Sequence, residues 1–386
     1  MGSSVEVPVN DYARLAETVF RRSHLKQMRA LVVGAGALGN EVVKTLGLLG
    51  VGKVAVIDPD RVEPTDLTRS LFLRGTGAVG HSKALSLATM AAELFPDTVV
   101  NGASKEIADL GFQEVAAANL IFGCVDNDLA RLETAYISTQ LDVPVVDGGL
   151  GTSDYSQGRV SYFPGSAGAC FSCRLTQQRR RELLTLWEAG SRPCWLETRD
   201  LERRSFPSTP MMASIIGAMQ VEFGLRRLLE PQAPPDSVGT NVDISLDPVV
   251  KTEAFRLSIS PNCPFHGPRP ARYPASRPAS QIVVRCLLDE VIPSGDDHRK
   301  AYLILDWPIC TSARCTGCGH RWAPMLRLAT LRKCGACPVC GSRQLSEEEV
   351  IRAVDRNSRW ADFTLEALGI PERHLHRIEF RAEPLV

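Results

Sequence analysis

The stretch that decides the fold is Ala30-Leu31-Val32-Val33-Gly34-Ala35-Gly36-Ala37-Leu38-Gly39. Four apolar residues run straight into three spaced glycines, and a helix-like stretch, Leu38–Leu49, follows. That is a strand, a tight turn and a helix. Gly34 permits the turn, and Gly36 lets the backbone approach a phosphate that the helix N-terminus attracts. Gly39 allows the helix to pack close to the strand. Asp58 ends the next apolar run, Val54–Ile57, where a carboxylate can hold ribose hydroxyls. Such a loop fits NAD or FAD as well as ATP, and the blander reading is a glycine turn that only packs a helix.

Outward from this loop the alternation continues. Leu120–Phe122 and Val143–Val146 are further short apolar runs, and Lys83–Leu94 is a second helical stretch. Strands alternating with helices predict an α/β fold: a Rossmann-like, doubly wound, mainly parallel sheet. Residues 1–28 read as a helical segment of mixed charge. Gly158–Phe163 reads as extended, 174–204 as an Arg-rich connection, and 211–229 as a long apolar helix. Six prolines between Pro261 and Ser280 mark a linker, placed at 267–280. Residues 281–386 then form a separate C-terminal unit with its own cysteines.

The chain has 386 residues, enough for two or three domains. Its 44 basic and 44 acidic residues cancel, which argues against an electrostatic nucleic-acid binder or a membrane-surface protein. No apolar segment reaches the ~18 residues of a membrane span, and Met1–Val9 has no signal-peptide pattern. The expectation is a cytoplasmic protein whose 12 cysteines serve metal or catalysis rather than disulfides.

The residues after the loop separate ATP from a dinucleotide. Asp58-Pro59-Asp60 leads to Thr65-Asp66-Leu67-Thr68-Arg69, and Lys83 opens the next helix. A triphosphate uses Arg69 and Lys83 to neutralise its charge, whereas a hydride-transfer site has no clear use for them. Asp126 follows the Leu120–Phe122 strand, facing the ligand crevice, where it can hold Mg²⁺. Singly, Arg69 reads as a surface ion pair, Lys83 as a solvated helix residue and Asp126 as a helix N-cap. Their order behind one glycine loop favours ATP.

In these segments the chain resembles the ubiquitin-activating-enzyme family, which includes the adenylyltransferases of molybdopterin and thiamine biosynthesis. The resemblance also covers Val125-Asp126-Asn127, Val143-Pro144-Val145-Val146-Asp147, Gly158-Arg159-Val160 and Cys170-Phe171-Ser172-Cys173, about residues 28 to 266. It implies an adenylation domain at 29–266 with a crossover segment at 174–210. It assigns Asp58 to ribose, Arg69 and Lys83 to phosphates, and Asp126 to Mg²⁺; Gly34, Gly36, Gly39 and Asp60 complete the nucleotide site. The family's usual Asn and Gln around the Arg stand here as Asp66 and Ser70, so a carboxylate lies among residues assigned to phosphate.

Two cysteine patterns predict Zn²⁺. Cys170-x-x-Cys173 is followed by Cys263-x-x-His266, and paired short spacings suit tetrahedral coordination. Relatives of this type hold a structural zinc with two such pairs, usually four Cys, so His266 replaces the last. Cys315-x-x-Cys318 and Cys337-x-x-Cys340, 18 residues apart, form a zinc-ribbon pattern with Gly317, Gly319, Gly335 and Gly341 at the knuckles. Cys310 and Cys334 are spare and compete as ligands. Cys124 and Cys286 are expected in the core, Cys286 on an apolar strand Ile282–Leu288.

Cys194 remains, in Ser191-Arg192-Pro193-Cys194-Trp195 on the Arg-rich connection, where cations favour a thiolate. The resembled family places its transfer cysteine on this connection. Biosynthetic members carry it just before the helix, where this chain reads Arg204-Ser205-Phe206-Pro207-Ser208. The competing reading of Cys194 is a partly buried structural residue beside Trp195.

The expectation is therefore an enzyme that adenylates the C-terminal carboxylate of a ubiquitin-like protein and passes it through Cys194 to a conjugating enzyme. The C-terminal unit would dock that partner. The resemblance further suggests a homodimer and a bacterial antiviral conjugation operon. The alternatives are a sulfur-carrier-protein adenylyltransferase, a non-catalytic scaffold and, sharing only the glycine fingerprint, an NAD-dependent oxidoreductase.

Overall fold

The computed structural model describes residues 13–15, 17–74, 77–151, 154–189, 208–230, 239–267, 270–274, 277–291 and 300–381. Residues 190–207, Cys194 among them, lie outside these ranges. The chain divides into two compact units. The first comprises residues 1–107, 117–174 and 205–263; the second comprises 108–116, 175–204 and 264–386.

The first unit is built on β1 (Arg29–Val33), β2 (Lys53–Ile57), β3 (Val99–Ala103), β4 (Leu120–Gly123), β5 (Val145–Leu150), β6 (Gln157–Phe163), β7 (Gly239–Ser245) and β8 (Lys251–Leu257). They form one sheet in the order β3-β2-β1-β4-β5-β6-β7-β8. The stretch from β3 to β5 is parallel, and β6 to β8 add antiparallel. Buried runs such as Leu120-Ile121-Phe122 explain the parallel part, since such strands are covered on both faces. The strand order reverses between β1 and β4, which opens the crevice at their carboxyl ends.

Four helices matter for the site: α1 (Ala37–Leu48), α2 (Lys83–Leu94), α3 (Asp128–Leu141) and α4 (Pro210–Leu229). In α1, Val42, Val43 and Leu46 recur at helical spacing and are fully buried. Leu87, Ala88 and Ala91 do the same for α2. Pro210 sits at the first helical position of α4, with Thr209 capping the Met212 N–H at 3.2 Å. The core joins α1, α2 and α4 to the sheet through Leu46, Val56, Leu87, Phe122 and Ile216.

The second unit has a smaller antiparallel sheet. Its strands are β9 (Arg272–Pro274), β10 (Lys300–Cys315), β11 (Arg321–Trp322), β12 (Leu326–Arg327), β13 (Leu345–Asp355) and β14 (Leu375–Arg381). The long β10 pairs with β11 to β14 and changes register with β13 between Ile304 and Ile309. Its helices are α5 (Val284–Val291) and α6 (Leu328–Cys334). The unit also takes the short helix Phe112–Ala116 from the connection between β3 and β4.

One expectation is corrected here. Ile282–Leu288 is not a strand: Val284, Leu287 and Leu288 follow helical spacing and bury one face of α5, and Cys286 falls off that stripe and is exposed. Cys124, by contrast, is buried as expected. No helix among the described residues is long and apolar enough to cross a membrane.

Candidate active site and metal centres

The glycine loop lies between β1 and α1. Gly34 has φ +103°, and a Cβ there would meet the Cys124 carbonyl oxygen at 2.5 Å. A Cβ at Gly39 would meet the Gly34 oxygen at 2.0 Å. Both positions therefore demand glycine. Gly36 faces open space, with nothing within 4 Å of its Cβ position. It is also the N-cap of α1 and provides no side-chain cap for the first N–H groups of that helix.

Two side chains hold the loop in shape. Asp58 accepts the Ala35 N–H at 2.7 Å on one oxygen and the Asp60 N–H at 2.8 Å on the other. Burial raises its pKa above the usual carboxylate value, against the pull of these two hydrogen bonds. Asn40 donates to the Ala35 and Gly36 carbonyls at 2.9 and 3.0 Å and accepts the Phe72 N–H at 2.9 Å. Asn40 thus ties the glycine loop to the turn that follows Arg69. The sequence reading missed it; the available signal was a polar residue at a buried position of an otherwise apolar helix.

Arg69 and Lys83 converge on one carboxylate. Asp66 is 1% exposed and lies 3.3 Å from Arg69 Nη2 and 3.2 Å from Lys83 Nζ. It also accepts the Glu63 N–H at 3.0 Å, closing a capping box on the turn Pro64–Thr68. Arg69 donates its other terminal nitrogen to the Ser208 hydroxyl, just before α4. Its Nε is buried with no hydrogen-bond partner among the described residues. Lys83 opens α2, where Ser82 caps the helix and Asp60 accepts the Lys83 N–H at 3.0 Å.

Asp126 is exposed just past β4. The N-cap of α3 is Asn127, which accepts the Ala130 N–H at 2.8 Å, so the cap role does not fall to Asp126. Beneath it Arg131 bonds Asp147 at 3.1 Å and the Val125 and Gly148 carbonyls at 2.6 and 3.1 Å. Gln220 from α4 donates to the Gly123 and Val146 carbonyls at 3.0 Å each. These two side chains fix the ends of β4 and β5, and sequence reasoning assigned neither a role. Burial pushes the Cys124 thiol far up, which suits a core residue.

Both cysteine patterns close in space. The ligand atoms of Cys170, Cys173, Cys263 and His266 lie within 4.8 Å of one another, as do those of Cys315, Cys318, Cys337 and Cys340. Cys170 Sγ is 3.8 Å from Cys173 Sγ and 3.7 Å from Cys263 Sγ. In the ribbon, Cys315–Cys340 and Cys318–Cys337 are each 3.6 Å apart. Thiolates on a tetrahedral Zn²⁺ at about 2.3 Å sit roughly 3.8 Å apart, whereas a disulfide needs about 2.05 Å. The donor sets therefore fit zinc. In the ribbon, Gly319 and Gly341 turn with φ +77° and +71°. The Cys318 N–H, directed at Cys315 Sγ, leads the effects that lower that thiol to about 6 and so favour its thiolate. The spare cysteines stay out: Cys310 packs in a small core with Leu328 and Leu331, and Cys334 is exposed and bonds the Thr330 carbonyl.

A switch-point crevice with a phosphate-ready helix terminus and two convergent cations defines a nucleotide-binding doubly wound α/β protein. Among known families, the ThiF family model matches residues 12–264, well over half of the chain, and the protein belongs to the ThiF family. The adenylyltransferase and sulfurtransferase UBA4 of Meyerozyma guilliermondii is 32% identical over 151 residues, 39% of this chain and 34% of that one. The Nedd8-activating enzyme E1 catalytic subunit of Drosophila melanogaster is 32% identical over 160 residues, covering 38% and 35%. Ubiquitin-like modifier-activating enzyme 5 of Aedes aegypti is 25% identical over 280 residues, covering 67% and 65%. The chain thus spans about a third of the length of the first two of these relatives. Among solved structures, Escherichia coli MccB with AMPCPP and MccA has a TM-score of 0.51 at 17% identity, covering 67% of this chain and 74% of that one; the two share a fold.

Proposed function

We propose that the protein adenylates the C-terminal carboxylate of a ubiquitin-like protein with ATP. The observation that carries this reading is a helix terminus at Gly36 with no side-chain cap, together with Arg69 and Lys83, which converge on Asp66. The names of the relatives, activating enzymes and adenylyltransferases, support it. In the reaction a carboxylate oxygen attacks the α-phosphorus. The bond from that phosphorus to the bridging oxygen breaks, and pyrophosphate leaves with the electron pair. The α1 N–H groups and the two cations stabilise the charge that accumulates on the phosphates. Asp126 would hold Mg²⁺, which when bound neutralises the leaving pyrophosphate.

In a second step the Cys194 thiolate attacks the acyl adenylate, AMP leaves, and a thioester forms for a conjugating enzyme. Both cysteine clusters would carry structural Zn²⁺, and we place the protein in the cytoplasm as a homodimer. The second unit is the partner-docking surface in this reading; Val339, 67% exposed between two ribbon ligands, is its natural probe.

The deciding measurement is ATP–pyrophosphate exchange with purified ubiquitin-like proteins. Exchange that requires one of them supports the reading, and exchange with none of them ends it. Cys194→Ser should keep exchange and abolish the reductant-sensitive adduct, and an adduct that survives removes Cys194 from the pathway. Val339→Glu should slow transfer and leave exchange intact; equal slowing of both would assign the ribbon no docking role. The UBA4 relative favours one second reading, activation of a sulfur carrier. In that case exchange persists, and a sulfide-level sulfur donor displaces AMP from the acyl adenylate to leave a thiocarboxylate.

A further inference from the structure

Asp66 is a built-in competitor for the phosphates. This proposal rests on the nucleotide reading above. We infer that the Asp66 carboxylate, which pairs with both Arg69 and Lys83, competes with the triphosphate for these two cations.

Three observations carry the inference. Asp66 is 1% exposed, so its charge is buried and needs partners on the protein. Arg69 and Lys83 meet that need from two sides, at 3.3 and 3.2 Å. The site that would otherwise offer two cations therefore offers a net single positive charge. Second, Arg69 is incompletely bonded in this arrangement: one terminal nitrogen goes to Ser208, one to Asp66, and its buried Nε has no partner among the described residues. A buried unmet donor is a cost that an incoming phosphate oxygen removes. Third, Asp66 does not need its charge to shape the turn. The Glu63 N–H that it accepts at 3.0 Å needs only an oxygen. An Asn supplies that oxygen without the charge.

The consequence is a threshold. A strongly anionic ligand competes well with one carboxylate for two cations, whereas a weakly anionic one does not. Asp66 also loosens the hold on pyrophosphate after the chemical step, because its carboxylate stands ready to recover both cations. It acts as a positioning residue, through Arg69 and Lys83.

The test is calorimetric titration of the full-length protein with ATP in EDTA and, separately, with adenosine. Asp66→Asn should tighten ATP by about tenfold at low salt, from the loss of one buried negative charge near the phosphates. The gain should shrink as salt is added. Adenosine, which is uncharged, should bind as it does to the wild type. Adding Lys83→Gln should remove most of the gain. Unchanged or weaker ATP binding by a folded Asp66→Asn protein overturns the proposal, since Asp66 would then be aligning the cations for the phosphates. An equal gain for adenosine overturns it too. If the Asn variant does not accumulate, Asp66→Ala tests the same charge by the same criteria. A wild-type protein that binds no ATP refutes the nucleotide reading itself, a different outcome from a wild type that binds ATP and an Asn variant that binds it no better.

Discussion

The two units bury charge in different places. In the first, three buried charges gather past the carboxyl ends of parallel strands: Asp58 follows β2, Asp66 sits on the turn Pro64–Thr68 after it, and Arg131 bonds the Val125 carbonyl just past β4. In the second, they sit in the interior. Arg272 grips Asp306 with two nitrogens at 2.7 and 3.0 Å, and His374 takes the same carboxylate at 2.9 Å. Arg272 also stacks over Phe112, with its guanidinium carbon 4.6 Å from the ring centroid. Burial alone would raise the Asp306 pKa, but His374 and Arg272 hold it well below the usual carboxylate range. The first unit has a large apolar core and pairs its buried Asp66 with Arg69 and Lys83, which stay partly exposed. The second has a smaller one and adds buried ion pairs, Arg272–Asp306 among them.

That contrast can be broken in order of expected effect. With the proposed Zn²⁺ in the ribbon, Cys318→Ser should cost the second unit that metal and its fold, because ribbon zinc sites supply folding free energy directly. Zinc content should fall from two per chain to one while ATP affinity is kept. A calorimetric trace that still shows both transitions would contradict the division of labour. Asp306→Ala should destabilise the second unit by about 3–5 kcal/mol, since it leaves Arg272 buried without its counter-charge. Denaturant unfolding followed by Trp fluorescence reads this. In the first unit, Lys83→Ala should weaken ATP binding by about 10–100-fold, the loss of one charge-assisted contact. Melting temperature should also fall, by less than for Asp306→Ala, because the buried Asp66 keeps Arg69 as a counter-charge but loses Lys83.

The smallest expected effect is a pH slope confined to the second unit. His376 is 1% exposed, and neither ring nitrogen has a hydrogen-bond partner among the described residues. Burial, helped by His374, depresses it from 6.5 to about 3. The unfolded His therefore binds a proton at a pH where the folded one does not. Stability from this group is present above 6.5 and lost as pH falls toward 3, at about 1.4 kcal/mol per pH unit. Unfolding free energies between pH 7 and 5 should show the slope, and His376→Leu should flatten it.

What was legible in the sequence divides along the same line. The β1–loop–α1 segment was readable because its chemistry is local: an apolar run, glycines at sterically forced positions, and a helical stripe. The cysteine pairs were readable because ligand spacing within a knuckle is local too. Arg69, Lys83 and Asp126 gained meaning only from their order, and two of them turned out to share Asp66. Asn40 to Phe72, Gln220 to Gly123 and Arg272 to Asp306 bridge 32, 97 and 34 residues, and such pairs leave no period to read. Cys286 was misread because Ile282–Leu288 is short and apolar, and a short apolar run does not distinguish strand from helix.

The clamps on the glycine loop carry one more consequence. Asp58 and Asn40 satisfy the loop's backbone from within, so its shape does not wait for a ligand. A nucleotide arriving there need not freeze a mobile segment, and little conformational entropy is lost in the loop on binding. Binding heat should then come mainly from phosphate contacts. Asn40→Ala should leave those contacts in place and transfer the cost to entropy, visible as weaker binding with an enthalpy that scarcely changes.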